Sequence, residues 1–179
     1  MKILIILIIV IVTIIVAVLI AALFSKKAYN IKKEIIINKP VQDVFDYLKI
    51  ITNQEKFSKW VMSDPTMKKE FRGTDGTVGF VYAWDSKKKA GAGEQEIKGI
   101  ENGKRLDLEV RFIRPFVAVA KTPFTTEAIT PNQTKVSWSM ISEMKYPMNA
   151  ILLFSSAEKL LGPDMEQSLN NLKTILEKQ

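Results

Sequence analysis

The chain contains no cysteine and no histidine among its 179 residues. That removes the thiolate nucleophile, the imidazole base, the disulfide, and zinc held by His or thiolate ligands. Any acid–base work would fall to Asp, Glu, Tyr or Lys. A lipid attached through cysteine is excluded too, although the absence fits either side of a membrane. The one glycine-rich stretch, Gly73-Thr74-Asp75-Gly76-Thr77-Val78-Gly79, lacks the spacing and the lysine of a phosphate-binding loop and reads as a turn. No Asp-x-Asp-x-Asp-Gly calcium loop, internal repeat or nucleic-acid motif is present, and no cofactor or metal is implied.

Charge is missing from Ile3 to Phe24, where Thr13 is the sole polar residue. At ~1.5 Å per residue this helix would span roughly 33 Å, close to a hydrocarbon core of about 30 Å. A cleaved signal peptide would carry a shorter apolar region and a small-residue cleavage site, and Leu23-Phe24-Ser25 is a poor one. The stretch is therefore expected to be an uncleaved single-pass anchor. Residues 1–25 are read as the anchor, 26–32 as a juxtamembrane tether and 33–179 as one domain. Lys2 precedes the span, whereas Lys26, Lys27, Lys32 and Lys33 follow it, which favours a cytoplasmic domain. The net charge is +7, and its excess beside the span suits anionic headgroups better than nucleic acid. Lys87-Lys88-Lys89, the one tight basic run, reads as a solvated hairpin tip.

The domain's clearest element is Gly162 to Glu177. Pro163 suits a first helical turn, and Met165, Leu169, Leu172 and Leu176, widened by Ile175, form one apolar stripe. Lys33 to Asn38 is a β-branched strand. Val41, Val44, Phe45 and Leu48 then recur at helical spacing, and Thr52-Asn53-Gln54-Glu55 has the form of a capping box opening a second short helix. From Met67 the period becomes two. Val78, Phe80, Tyr82 and Trp84 share a face. Asn102-Gly103 turns the chain into a strand carrying Leu106, Leu108, Val110 and Phe112, with Glu109 and Arg111 on its solvated side. Phe116 to Thr130 is one strand or two, broken at Pro123, and Lys135 to Glu143 alternates Val136, Trp138 and Met140. The pattern predicts an α+β domain: an antiparallel sheet of about six to seven strands, two short helices after the first, and a long C-terminal helix as the only cover for its apolar face.

If Phe80, Tyr82 and Trp84 face that helix, then Gln95, Ile97, Leu108, Val110, Trp138 and Met140 do so too. Met165 and Leu169 would meet them from the helix, and Trp60 and Met62 would line an entrance. The candidate ligand-binding set is thus Trp60, Phe80, Tyr82, Trp84, Ile97, Leu108, Val110, Glu127, Trp138, Met140, Met165 and Leu169, of which the apolar and aromatic members could equally be packed core. Glu127 shares strand parity with Ile129. If both point inward, Glu127 is a weak catalytic candidate with a raised pKa; otherwise it pairs with a nearby base, or the parity changes beyond Pro123.

Asn38-Lys39-Pro40-Val41-Gln42-Asp43-Val44-Phe45-Asp46-Tyr47-Leu48, Phe57-Ser58-Lys59-Trp60, the Val78–Trp84 strand, Thr134 to Met140, and Leu161-Gly162-Pro163-Asp164-Met165-Glu166 with its Leu-Asn-Asn-Leu continuation resemble the START-like, or SRPBCC, superfamily. The likeness spans about Lys33 to Leu176 and is nearest the polyketide cyclase/dehydrase branch. It implies the helix-grip fold, a curved sheet wrapped around the C-terminal helix, with a cavity for a lipid or other hydrophobic molecule. The anchor departs from the usual soluble members. Three functions stay open: a membrane-anchored binder of a hydrophobic small molecule, a cyclase/dehydratase-type enzyme using Glu127 or Tyr82, and an interaction module whose core is filled. The protein partner, if any, is not indicated.

Overall fold

The computed structural model describes residues 1–88 and 90–178. Helix α1 (Lys2–Phe24) is followed by β1 (Ala28–Ile37), α2 (Val41–Lys49), a 3-10 turn at Ile51–Asn53, α3 (Gln54–Phe57) and α4 (Lys59–Met62). Seven strands come next: β2 (Lys68–Arg72), β3 (Val81–Asp85), β4 (Ala92–Glu101), β5 (Arg105–Arg114), β6 (Ala118–Lys121), β7 (Phe124–Thr130) and β8 (Gln133–Glu143). A 3-10 segment (Met148–Leu153) leads into α5 (Ala157–Lys178). The sheet is antiparallel in the order β1-β8-β6-β5-β4-β3-β2, with β7 continuing the β6 position between β5 and β8. It has eight strands rather than six or seven, because the break at Pro123 yields β6 and β7 as separate strands. This is the helix-grip architecture, an α+β fold with α5 lying on the concave face.

The domain begins earlier than its sequence suggests. β1 pairs with β8 from Ala28↔Glu143 to Ile37↔Thr134, so residues 25–27 alone separate it from α1. Helix α5 also starts before Gly162: the Ser156 hydroxyl accepts from the Lys159 N–H, and Pro163 lies inside the helix. The added turn places Glu158 2.6 Å from Lys33 on β1 and seats Gly162 where a Cβ would meet both.

The apolar stripe of α5 lands as its spacing requires. Met165, Leu169, Leu172 and Leu176 are all buried. Ser168, on the same side, accepts from the Lys59 N–H at 2.9 Å, and Asn171 donates to the Phe57 carbonyl at 3.1 Å. Polar groups on the helix thereby hold α3 and α4 against it. On the convex face Arg111 donates to Glu94, Glu96 and Glu109, each within 2.8 Å, so it is on the outer side as expected but only partly solvated. The hydrogen bonds from Arg111 and then Arg72 hold the Glu94 carboxyl below its ordinary range.

The expected capping box is not formed. Asp75, in the turn between β2 and β3, takes the role instead: its carboxylate accepts from the backbone N–H groups of Ile51 and Thr52 at 2.8 and 3.0 Å and from the Thr52 hydroxyl at 2.7 Å. A carboxylate at a helix N-terminus satisfies donors that the helix cannot. Asp75→Ala is expected to lower stability by ~1–3 kcal/mol, read as a shift in the urea midpoint of the detergent-solubilised full chain.

Candidate functional site

Strand parity sets which side chains face α5, and the structure bears that face out for Phe80, Tyr82, Gln95, Ile97, Leu108, Val110, Trp138 and Met140, all buried. Val78 is an exception at 60% exposed, because the chain between Gly73 and Phe80 is a turn and β3 begins only at Val81. Parity does not set position along the strand, and along the strand the concave face divides in two. At one end α2 and the short helices insert Val44, Phe45, Leu48, Ile51 and Phe57, which pack with Leu106, Phe124 and the α5 stripe into a closed core. Phe80, Ile97, Leu108, Met165 and Leu169 belong to this filled end and not to the cavity wall.

The other end is open. A cavity of about 650 Å³ lies there, with Trp60, Tyr82, Trp84, Val110, Trp138 and Met140 on its wall. Six of the twelve expected site residues are brought together, including all three tryptophans of the chain. The sequence reading missed Tyr29, Phe112 and Thr122, which also line it. Tyr29 falls in the stretch that reads as a tether, although its period-two relation to Ile31 and Lys33 puts it on the inward face of β1. Thr122 sits at the break before Pro123, where alternation is hard to follow. Met62 turns away from the mouth toward α5, where Asn171 reaches its sulfur at 3.7 Å.

Glu127 is corrected. Phe124 and Thr126 take the inward positions of β7, which turns Glu127 and Ile129 outward, and Glu127 pairs across the strands with Lys135. Its side chain is 66% exposed, so it does not stand in the apolar cavity that the catalytic reading required. Lys87 and Lys88 lie in the turn between β3 and β4 as expected, and Lys89 lies outside the described residues.

Two features fix the cavity's chemistry. Trp138 is held rigidly, stacked on Phe124 at 4.9 Å and met edge-on by Trp60 at 5.7 Å. Among the described residues, two buried polar atoms on the wall have no hydrogen-bond partner, the Trp138 indole N–H and the Thr122 hydroxyl, and the buried Tyr82 hydroxyl has only the Glu55 carboxylate near it. The Trp84 indole, by contrast, donates to the Ala90 carbonyl at 3.0 Å. Leaving a buried polar group unpaired costs ~1–3 kcal/mol, so such groups mark a place where something else binds. Burial, and then the nearby Glu55 carboxylate, push the Tyr82 pKa upward. Tyr82 therefore stays protonated and serves as a donor rather than a base. Among the described residues, the charged groups on the wall are Glu143 and Lys145, both at the mouth.

No family model matches the sequence, and no curated protein matches it. Solved structures do. Norcoclaurine synthase from Thalictrum flavum, in complex with dopamine and hydroxybenzaldehyde, superposes with a TM-score of 0.64 at 12% identity, over 87% of this chain and 90% of that one. A Thermobifida fusca protein gives 0.63 at 12% identity over 83% and 93%. An uncharacterised Rhizobium leguminosarum protein gives 0.56 at 15% over 87% and 98%. At these identities the likeness is one of fold.

One carboxylate staples two of the loops that bound the cavity. Asp64 lies between Val61 and Met67 and accepts from the Ser86 hydroxyl at 2.5 Å, from the Thr66 hydroxyl at 2.7 Å and from the Thr66 N–H at 3.1 Å. Led by Ser86, these donors lower its pKa to about 2. A depressed carboxyl stabilises the fold above its unfolded pKa of ~3.9 and loses that contribution as pH falls toward the folded value. Asp64→Asn is expected to be less stable than the parent at neutral pH, with the gap closing between about pH 4 and pH 2. Urea midpoints across that range would check it; a gap independent of pH would contradict it.

Proposed function

We propose that the protein is a membrane-anchored binder of a hydrophobic small molecule or lipid that carries an oxygen acceptor at one end. The observation that carries this reading is an apolar cavity of about 650 Å³ whose wall, among the described residues, leaves the Trp138 indole and the Thr122 hydroxyl without partners and buries the Tyr82 hydroxyl with only the Glu55 carboxylate near it. The size lies inside the usual range of ~300–1,000 Å³ for ligand sites, as does the makeup of many apolar groups with a few polar ones. An indole N–H can only donate, and a protonated tyrosine donates well, so the complementary ligand group is an oxygen acceptor. Burying some ~300 Å² of ligand would contribute on the order of 7 kcal/mol before ordering costs.

Helix α1 is long and apolar enough to cross a membrane, and the proposal takes it as the anchor. Its residues from Ile3 to Ala17 project from the domain without cover. The lysine excess after the span supports a cytoplasmic domain. Resemblance to the START-like superfamily and the shared fold with norcoclaurine synthase agree with a ligand-binding role. An enzyme using Glu127 is not supported, since that residue is outside the cavity.

Full-chain protein released from detergent in a native mass spectrometer is expected to carry a lipophile at one copy per chain. Tyr82→Phe and Trp138→Phe should each weaken binding roughly 2- to 10-fold, the worth of one hydrogen bond. Val110→Phe, which narrows the cavity, should lower occupancy further. A chain with no co-purified ligand and no uptake of a dansyl-labelled fatty acid, followed by energy transfer from the three cavity tryptophans, would count against the reading.

A further inference from the structure

The cavity opens at one end of the sheet, and the anchor leaves the domain at that same end. The lining residues that reach solvent are Pro115, Phe116, Val117, Glu143, Lys145, Tyr146 and Ile151. They come from the β5–β6 turn, the end of β8 and the segment between β8 and α5. That segment holds α1. Asn149, fully buried, donates its side-chain amide to the Ala22 carbonyl at 2.5 Å and to the Ser25 hydroxyl at 2.9 Å. It thereby caps a helix end whose carbonyls have no partner within the helix. Met144 N–H also donates to the Lys27 carbonyl at 2.9 Å, which continues the β1–β8 ladder up to the anchor.

The rim around the mouth is apolar and uncovered. Val117 and Phe154 are 77% and 76% exposed, and Phe116, Tyr146, Ile151 and Leu153 lie beside them, each at least 40% exposed. Basic residues accompany them: Lys26 and Lys27 at the end of α1, Lys87 in the β3–β4 turn, and Lys145. The loops at the opposite end of the sheet are different. Gly73–Thr77, Asn102–Lys104 and Pro131–Gln133 are polar, and the exposed large apolar side chains near them, Val78, Ile129 and Ile36, are scattered. Apolar side chains mixed with lysine are what an interfacial surface carries, while scattered exposure would need no explanation.

We propose that the cavity mouth is pressed against the leaflet from which α1 emerges. Phe116, Val117, Ile151, Leu153 and Phe154 enter the headgroup–acyl boundary, and the lysines meet anionic headgroups. The occupant of this surface is the bilayer itself. Three residues between Phe24 and Ala28 reach ~10–14 Å when extended, against a headgroup layer ~5–7 Å deep, so the linker leaves at most several ångströms of clearance. The Asn149 clamp shortens even that reach. Ligand then passes between leaflet and cavity without crossing water. This inference rests on α1 being a membrane anchor.

The absence of native cysteine allows single labels to be placed cleanly. Val12→Cys, Val117→Cys, Phe154→Cys and Asn102→Cys are each labelled with bimane in the full chain. They are then reconstituted in phosphatidylcholine–phosphatidylglycerol vesicles containing nitroxide-labelled phosphatidylcholine. The exposed positions tolerate the change, and Asn102 reports the far end of the same fold. Labels at 12, 117 and 154 are expected to be quenched several-fold more than the label at 102. If 12 is quenched while 117 and 154 match 102, the anchor stands and the mouth faces water, which overturns the proposal. If 12 is not quenched, the anchor reading fails and the proposal fails with it.

Discussion

The seating of α5 on the concave face of the sheet is the contact on which everything else depends. Met165, Leu169, Leu172 and Leu176 bury one stripe of a single long helix against strands whose inward residues have no other cover. Each fully buried side chain of this size contributes about 1.5–3 kcal/mol from burial. Removing the helix would leave an apolar sheet face in water. The helix also carries the polar groups, Ser168 and Asn171, that position α3 and α4, so the closure of the filled end is secondary to its docking.

One helix and three short ones do not cover the whole face. The side chains of α2, α3 and the 3-10 turn close the end of the sheet remote from α1, and the large aromatics Phe45, Phe57 and Phe124 fill it. At the near end α5 contributes only Leu161 to the cavity wall, and the space below is left as a cavity. Aromatic rings stiffen its wall without filling it: Trp138 is wedged between Trp60 and Phe124, and Trp84 meets Phe112 edge-on at 6.3 Å. On the convex face charges neutralise one another, with Arg111 as the hub between Glu94, Glu96 and Glu109. The outer face thus carries a charge cluster beside exposed aliphatics such as Ile113, Val119 and Ile141, while the inner face is divided between core and cavity.

Much of this was legible in the chain. The apolar run from Ile3 to Phe24, the α5 stripe and the inward sets on β3, β4, β5 and β8 followed from periods of 3.6 and 2, which are properties of local geometry. The errors have local causes as well. Pro163 was read as a helix start, although a buried Gly162 and the Lys33–Glu158 pair draw the helix a turn and more further back. The Thr52–Glu55 pattern fitted a capping box, yet Asp75, far along the chain, reaches the donors first. Glu127 followed parity through a strand that breaks at Pro123, and its inward places went to Phe124 and Thr126.

Sequence alone determined the inward faces of β3, β4, β5 and β8, the extent of the apolar helix α1 and the class of fold, because those depend on spacing between neighbours in the chain. Only the tertiary structure decided which inward residues are core and which are cavity wall. Phe80 and Tyr82 are aromatics two residues apart that face the same way, yet Phe80 packs at the filled end and Tyr82 lines the cavity. Depth along a strand is set by where other elements end and how far their side chains reach. The same holds for the mouth. Asn149 meets Ala22 across 127 positions of sequence, and no pattern within either segment announces that contact.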